Sequence, residues 1–301
     1  MTHQRFLIVD LGSQYAQLIA RRVRELNCYA EIVMPDVSPA RVAEAQGLIL
    51  SGSPWSAYDP EAPTVDPAIF DQGTPGLGIC SGRQLMSSVL GGAGGAAHER
   101  EYGPAVIDIV EDGAALLAGL GPHANVWMSH GDRVERPADG FEAIASTPSA
   151  PHAAIRHPEK RLFGVQFHPE VTHTPRGSEI LRNFLYGICG ATGDWRMSSF
   201  IEEAIEAIRV RVGESRVICG LSGGVDSSVA AVLIHRAIGD RLTCIFVDNG
   251  MLRKGEAEEV LETFRGQYNI PLRFADEGSA FLEDLDGVTE TEEKRRRIGH
   301  R

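Results

Sequence analysis

An α/β fold built twice along one chain is what the sequence predicts, and three observations predict it. Short apolar runs alternate with amphipathic runs near the start of the chain, and the same alternation restarts after residue 215. In each stretch a glycine-flanked turn joins a strand-like run to a helix-like one, at residues 78–82 and 222–226. The 301 residues are enough for two domains of ordinary size, and 43% apolar residues suffice for two cores.

The elements follow in order. Residues 5–12 (RFLIVDLG) read as a buried strand ending in a turn. Ser13 can cap a helix running to about Leu26, with Leu18, Ile19, Val23 and Leu26 on its apolar face. Residues 29–34 and 47–52 read as the next strands, the latter closing in the turn Ser51, Gly52, Ser53, Pro54. Residues 75–85 read as a strand, a sharp turn and a helix start. This alternation implies a parallel sheet with helices on both faces. The run 91–97 (GGAGGAA) has poor β propensity and high chain entropy, and reads as a mobile loop. Short alternating segments at 104–110, 125–129, 141–146, 153–156 and 162–167 suggest added strands, several antiparallel. A helix over 177–188 closes the first domain, residues 190–194 form a linker, and the expected domains are 1–190 and 191–301. The second unit reads as helix 198–212, strand 216–221, turn 222–226, helix 227–238, strand 242–248, helix 256–264 and strand 272–275. Residues 290–301 form a charged helical tail with no strand after it.

Composition narrows the function. A formal charge of −12 argues against a nucleic-acid-binding surface. It does not exclude ATP, because local backbone amides and a metal override the global field. The 5 cysteines are odd in number and form no CxxC pair, which fits a reducing cytoplasm. Residues 1–5 lead straight into a strand, so no signal peptide is expected. No apolar run approaches the roughly 20 residues of a membrane span.

Cys80 is the first candidate for chemistry. Gly78-Ile79-Cys80-Ser81-Gly82 has the form of a nucleophile elbow, in which flanking glycines permit a strained turn that lifts the thiol above the sheet edge. The sulfur would sit at a helix N-terminus, where the dipole favours a thiolate. A lone cysteine is more often a small buried hydrophobe, so a partner decides the matter. In GVQFHPE an apolar strand delivers His168, and Glu170 follows two residues on. A histidine can take the thiol proton and return it to a leaving amine, while a carboxylate orients and stabilises the imidazolium.

The second candidate site is Ser222, Gly223, Gly224, Val225, Asp226, Ser227 and Ser228, between a strand and a helix. Glycines there let a phosphate approach backbone amides, and the helix start favours its charge. No lysine follows, so this is not a Walker A loop. Asp226 would repel a bare phosphate, which argues for a bridging Mg2+. The strand end with Val247 and Asp248 could edge an adenine, with Asp248 near a ribose or metal.

Taken together, these residues resemble the glutamine-hydrolysing GMP synthase family. The resemblance covers essentially the whole chain. GLGICSGRQL and GVQFHPE resemble the two motifs of a class I glutamine amidotransferase of flavodoxin-like fold. LSGGVDSS resembles the pyrophosphate loop of an ATP pyrophosphatase, an adenine-nucleotide alpha hydrolase-like parallel α/β domain. VWMSHGDRVE, GDWRMSSFIEEAI and FVDNGMLRKGEAEEV match as well. The resemblance implies that Cys80, His168 and Glu170 release ammonia from glutamine, with Gly52 and Ser81 as oxyanion-hole residues and Gln84 binding glutamine. It implies that Mg2+ and ATP on the 222–228 loop activate XMP, and that ammonia then gives GMP, AMP and pyrophosphate. It also implies that the rest of the ATP domain, and a domain for XMP binding and homodimer formation, lie beyond residue 301, so that the chain is cut short. In the elbow, Ser81 and Arg83 replace the aromatic residue and the Met usual in the family. Arg83 is therefore expected to bring an unmatched cation beside the glutamine pocket. A stand-alone glutaminase, and a binding module with little turnover, are the competing readings.

Overall fold

A computed structural model describes residues 3–110 and 114–300. The chain divides into two compact units, Met1–Arg196 and Met197–Arg301. The division falls later than the linker expected at 190–194. Trp195 is buried, and its backbone N–H donates to the Asn27 carbonyl, so these residues pack with the first unit.

The first unit is built on one nine-stranded sheet. Strand β1 (Arg5–Val9) is an interior strand, and its residues Phe6 to Val9 are fully buried because both faces are covered. Helix α1 (Ala16–Glu25) leads to β2 (Tyr29–Val33), and the short α2 (Pro39–Ala43) leads to β3 (Gly47–Leu50). The helix begins after Ser13, which instead accepts the Tyr15 N–H in a turn at 3.0 Å. A 3-10 turn (Pro67–Asp71) precedes β4 (Gly76–Ile79) and helix α3 (Ser81–Val89). Then come β5 (Ala93–Ile109), α4 (Ala114–Leu117), β6 (His123–Arg136), β7 (Glu142–Ser146), β8 (Ala154–His157) and β9 (Leu162–Val165). Helix α5 (Gly177–Arg182) continues as a π turn through Asn183–Ile188.

The sheet order is β2-β1-β3-β4-β9-β8-β7-β5-β6. Pairing from β2 to β9 is parallel, and from β9 onward antiparallel. Strand alternation splits the core in two. Phe6, Ile8, Ile49, Leu77 and Ile79 join Ile19 and Val23 of α1 in one cluster. Leu7, Val9, Leu48 and Leu50 join Leu85 and Met86 of α3 in the other. The glycine-rich run expected as a loop is the start of β5, where Ala93, Gly94, Gly95 and Ala96 pair with residues 132–136 of β6. Backbone pairing along a long partner strand overrides the weak propensity.

The second unit opens on helix α6 (Met197–Val212). Strand β10 (Val217–Leu221), helix α7 (Val225–Ile238), strand β11 (Leu242–Asp248), helix α8 (Glu256–Leu261) and strand β12 (Leu272–Asp276) form a three-stranded parallel sheet with its helices. Helices α9 (Gly278–Asp284) and α10 (Thr291–His300) follow. Leu242, Cys244 and Phe246 alternate inward against Ile205 and Ala231, which gives this unit its own core. Among the described residues, no helix is long and apolar enough to cross a membrane.

Candidate active site

The site of the first unit grows from two glycines. A Cβ on Gly78 would lie 2.6 Å from the Arg83 Cα, and one on Gly82 would lie 2.5 Å from the carbonyl oxygens of Leu50 and Ser51. Bare backbone at both positions lets α3 press against β4 and the end of β3. Cys80 between them is held at φ +53°, a strained conformation for a residue with a side chain. Its N–H donates to Val165 of β9 at 2.8 Å, which ties the elbow to the neighbouring strand.

That neighbour carries the partner. His168 follows β9, and its N–H donates to the Trp127 carbonyl at 3.0 Å. The Thr174 hydroxyl donates to the His168 carbonyl at 2.6 Å. The His168 Nδ1 lies 2.7 Å from the Glu170 Oε1, and both side chains are buried. Burial disfavours the imidazolium, but hydrogen bonds to Cys80 and Glu170, with the charge of Glu170, outweigh it. The His168 pKa is raised from 6.5 to about 10. The Tyr15 ring meets the imidazole edge-on, with centroids 5.4 Å apart. Arg22 of α1 donates to the Glu170 carbonyl at 2.9 Å and fixes the far side of the segment.

Cys80 and His168 line a cavity of about 290 Å³ with Gly12, Ser13, Tyr15, Gly52, Ser53 and Ser129. Gly52 sits so close that a Cβ on it would be 3.7 Å from the His168 Cε1 and 3.9 Å from the Cys80 Cβ. Ser81 occupies the first turn of α3, where its N–H has no acceptor within the helix. Its hydroxyl donates to the Ser53 carbonyl at 3.2 Å. The structure therefore brings Cys80, His168, Glu170, Gly52 and Ser81 to one place. Gln84 is buried beside it and does not line the cavity; its Nε2 donates to the Asp132 carbonyl at 2.9 Å and to the Gln166 Oε1 at 3.2 Å.

The expectation for Arg83 is corrected. Its side chain is 1% exposed and lies outside the cavity lining, beneath the elbow. A Cβ on Gly164 would collide with its Cγ, so the stem lies flat on a bare patch where Gly78 and Gly164 pair in register. Its guanidinium donates to the His152 carbonyl and to the Gln166 Oε1. Burial lowers its pKa to about 10. It is a hydrogen-bonded cation that does not line the cavity. Two groups on the sulfur escape the sequence reading: the Ser129 carbonyl, 3.5 Å from the Sγ, and the Gln166 Nε2, 3.7 Å from it. Strand alternation could have found Gln166, which stands two residues before His168 in GVQFHPE.

In the second unit the 222–228 loop folds onto itself. The Ser222 N–H donates to the Ser227 Oγ at 3.2 Å, and the Ser228 Oγ donates to the Gly224 carbonyl at 2.8 Å. Gly223 sits at φ +76°, and Gly224 precedes the first turn of α7. Val225 and Asp226 are exposed at that turn. Gly223 and Ser228 line a cavity of about 410 Å³ together with Arg253 and Lys254. These two cations escape the sequence reading, although they stand adjacent in FVDNGMLRKGE. Val247 and Asp248 do not line it, and the Asp248 carboxylate accepts the Gly250 N–H at 2.8 Å. Among the described residues no group of three His, Cys, Asp or Glu side chains could hold a metal ion unaided. Asp226 is the one carboxylate within the 222–228 loop, which fits a hard cation whose other ligands are phosphate oxygens and water.

A nucleophile elbow on a doubly wound sheet, faced by a His–Glu pair from the adjacent strand, defines a class of enzyme. The family model for class-I glutamine amidotransferases matches residues 7–188, and the chain belongs to that family. The NAD synthase family model matches residues 196–263. Beyond the family, a curated relative from Nitrobacter hamburgensis, named GMP synthase (glutamine-hydrolyzing), is 53% identical over 99% of this chain and 56% of its own length. One of the same name from Ruminiclostridium cellulolyticum is 52% identical over 99% of this chain and 59% of its own. The chain thus spans a little over half the length of these relatives. Among solved structures, a GMP synthase subunit from Thermoplasma acidophilum is 26% identical with a TM-score of 0.54, over 67% of this chain and 98% of its own. A glutamine amidotransferase from Thermotoga maritima, at 19% identity and a TM-score of 0.52 over 64% of this chain and all of its own, shares the fold.

Proposed function

We propose that this chain carries the glutaminase and the ATP-loop portion of a glutamine-hydrolysing GMP synthase. The single observation that supports it most is Cys80, strained at φ +53° beside a His168 that Glu170 holds at 2.7 Å. The Cys80 thiolate attacks the side-chain amide carbon of glutamine. The oxygen gathers charge and is met by the backbone N–H groups of Gly52 and Ser81. His168 gives its proton to the departing nitrogen, and ammonia leaves a glutamyl thioester on Cys80. Water, deprotonated by His168, then attacks the thioester; glutamate leaves and the thiolate is restored. Glu170 keeps the imidazole oriented and favours its charged form throughout.

In the second unit the cavity beside Gly223 and Ser228 carries the cations Arg253 and Lys254 along with the carboxylates Glu256 and Glu259, which suits a triphosphate that arrives with its metal ion. Asp226 would hold Mg2+ there together with the phosphates, and that ion would offset phosphate charge. In this reading the C2 oxygen of XMP takes AMP from ATP, releasing pyrophosphate, and ammonia displaces AMP to give GMP. The location is cytoplasmic, and the full-length protein is a homodimer, as the resemblance implies. The test measures ammonia release from glutamine by the purified chain, with and without ATP and XMP, and GMP formation when ammonium, XMP and Mg-ATP are supplied. Ammonia release dependent on Cys80 is the expected result. Its absence at any glutamine concentration rejects the glutaminase reading.

A further inference from the structure

We propose that Gln166 is a catalytic hydrogen-bond donor to the Cys80 sulfur, and that buried Arg83 is the positioning residue that aims it. The inference rests on the reading of Cys80 as the glutaminase nucleophile.

The orientation of the Gln166 amide decides the matter, and its neighbours fix it. A guanidinium has only donors, so the Gln166 atom facing Arg83 is the oxygen. Gln84 donates to the same oxygen at 3.2 Å. The Gln84 Nε2 also donates to the Asp132 backbone carbonyl, an acceptor that cannot be mistaken for a donor, so its own orientation is settled. With two donors on Oε1, the Gln166 Nε2 turns to the sulfur at 3.7 Å.

The surroundings explain why this donor is needed. The Ser129 carbonyl lies 3.5 Å from the sulfur. It accepts from a thiol but repels a thiolate. Gln166 presents an N–H to the sulfur in either state, and its dipole is strengthened by the cation on its oxygen. Arg83, for its part, is fully buried, and among the described residues no carboxylate pairs with it. A charge in that position is costly unless an anion lies within reach. The Cys80 thiolate, one amide away, is that anion. The relay acts wherever sulfur carries charge: in the attacking thiolate, and in the leaving group when water breaks the thioester.

The test is the pH profile of Cys80 alkylation by iodoacetamide on the full 301-residue chain, followed at Cys80 by peptide mass spectrometry. The titratable and charged groups around the sulfur and its relay are His168 after β9, with Glu170 behind it, Tyr15 at the entry to α1, and Arg83 on α3 with Tyr58, His130 and His152 near it. All but the varied residue stay constant. Arg83→Met and Gln166→Leu should each move the half-point of the profile upward by about one pH unit, slowing alkylation about tenfold below it. The double variant should fall well short of the sum of the two single shifts, because the part of Arg83 that runs through Gln166 is already lost in Gln166→Leu and only its direct charge on the sulfur remains. Gln166→Glu keeps the size and the partner of Arg83 but turns a carboxylate oxygen to the sulfur, so it should shift the profile furthest. It serves if either other variant fails to fold by circular dichroism. An unmoved profile in a folded variant, or additive shifts in the double variant, overturns the relay. Ammonia release from glutamine is measured on the same proteins. Moved profiles without ammonia release in the parent chain would leave the relay standing and remove the glutaminase reading.

Discussion

In the proposed mechanism Cys80, His168 and Glu170 act as a unit, so their removal should not behave as three independent losses. Cys80→Ala should lower ammonia release from glutamine by roughly four orders of magnitude or more, with the melting temperature nearly unchanged. His168→Ala should be almost as damaging. Glu170→Gln keeps the shape but not the charge, and should lose about two orders of magnitude. Parent-like release by Cys80→Ala would remove the assignment. The same pair sets a pH signature on stability. His168 binds its proton more tightly in the folded chain, with its pKa raised from 6.5 to about 10. The stabilisation this brings is complete below about 6.5 and is lost as the pH climbs through the folded value near 10. Urea midpoints should therefore fall between pH 7 and 10, and that fall should flatten in Glu170→Gln. Equal slopes in the two proteins would contradict it.

Elements matter here through the closeness of α3 to the strand ends. Gly82→Ala forces a methyl to within 2.5 Å of the Leu50 and Ser51 carbonyl oxygens, and backbone on both sides leaves nothing flexible to give way. Helix α3 must lift, carrying Ser81 away from Gly52. We expect a loss of about 2–3 kcal/mol in equilibrium unfolding, with ammonia release falling further than stability explains. Gly73→Ala is the control for a glycine without that contact, since its methyl would meet nothing, though its φ of +74° is strained. A Gly82→Ala chain with parent activity would show that the approach of α3 is not what builds the site.

Across the whole molecule, each unit has a core of its own. Both clusters of the first unit draw only on its own residues, and the cluster of the second does likewise. A polypeptide of residues 1–196 should therefore fold alone and release ammonia at a rate within about tenfold of the 301-residue chain. Calorimetry and an ammonia assay check this; an unfolded or inactive 1–196 would mean that the second unit supports the first. The 301-residue polypeptide should not make GMP from ammonium, XMP and Mg-ATP. This chain spans only 56% and 59% of the two curated relatives' length, and amination needs XMP held in line with ATP. GMP formed at an ordinary enzymatic rate would reverse that expectation.

The sequence by itself determined the local chemistry of this protein. Apolar runs bounded by turns marked β1 and β3, and the restart of the same strand, turn and helix order marked α7 and β11, because burial leaves its trace in residue type. Glycines at 78 and 82 marked the elbow, because only a residue without a Cβ fits where backbone meets backbone. GVQFHPE marked His168 and Glu170 only beside the elbow, because a strand-end histidine becomes a base once a thiol stands for it to serve. What the tertiary structure alone decided was adjacency. The pairing of β4 with β9 brings together residues separated by nearly half of the first unit, and no local pattern encodes which strands become neighbours. The same pairing set Gly78 beside Gly164 and gave Arg83 a bare surface to lie on, so a cation expected in the pocket is buried behind it. Tertiary context also made the glycine-rich run at 93–96 a strand, because β6 offered a continuous row of backbone partners whose hydrogen bonds outweigh single-residue propensity.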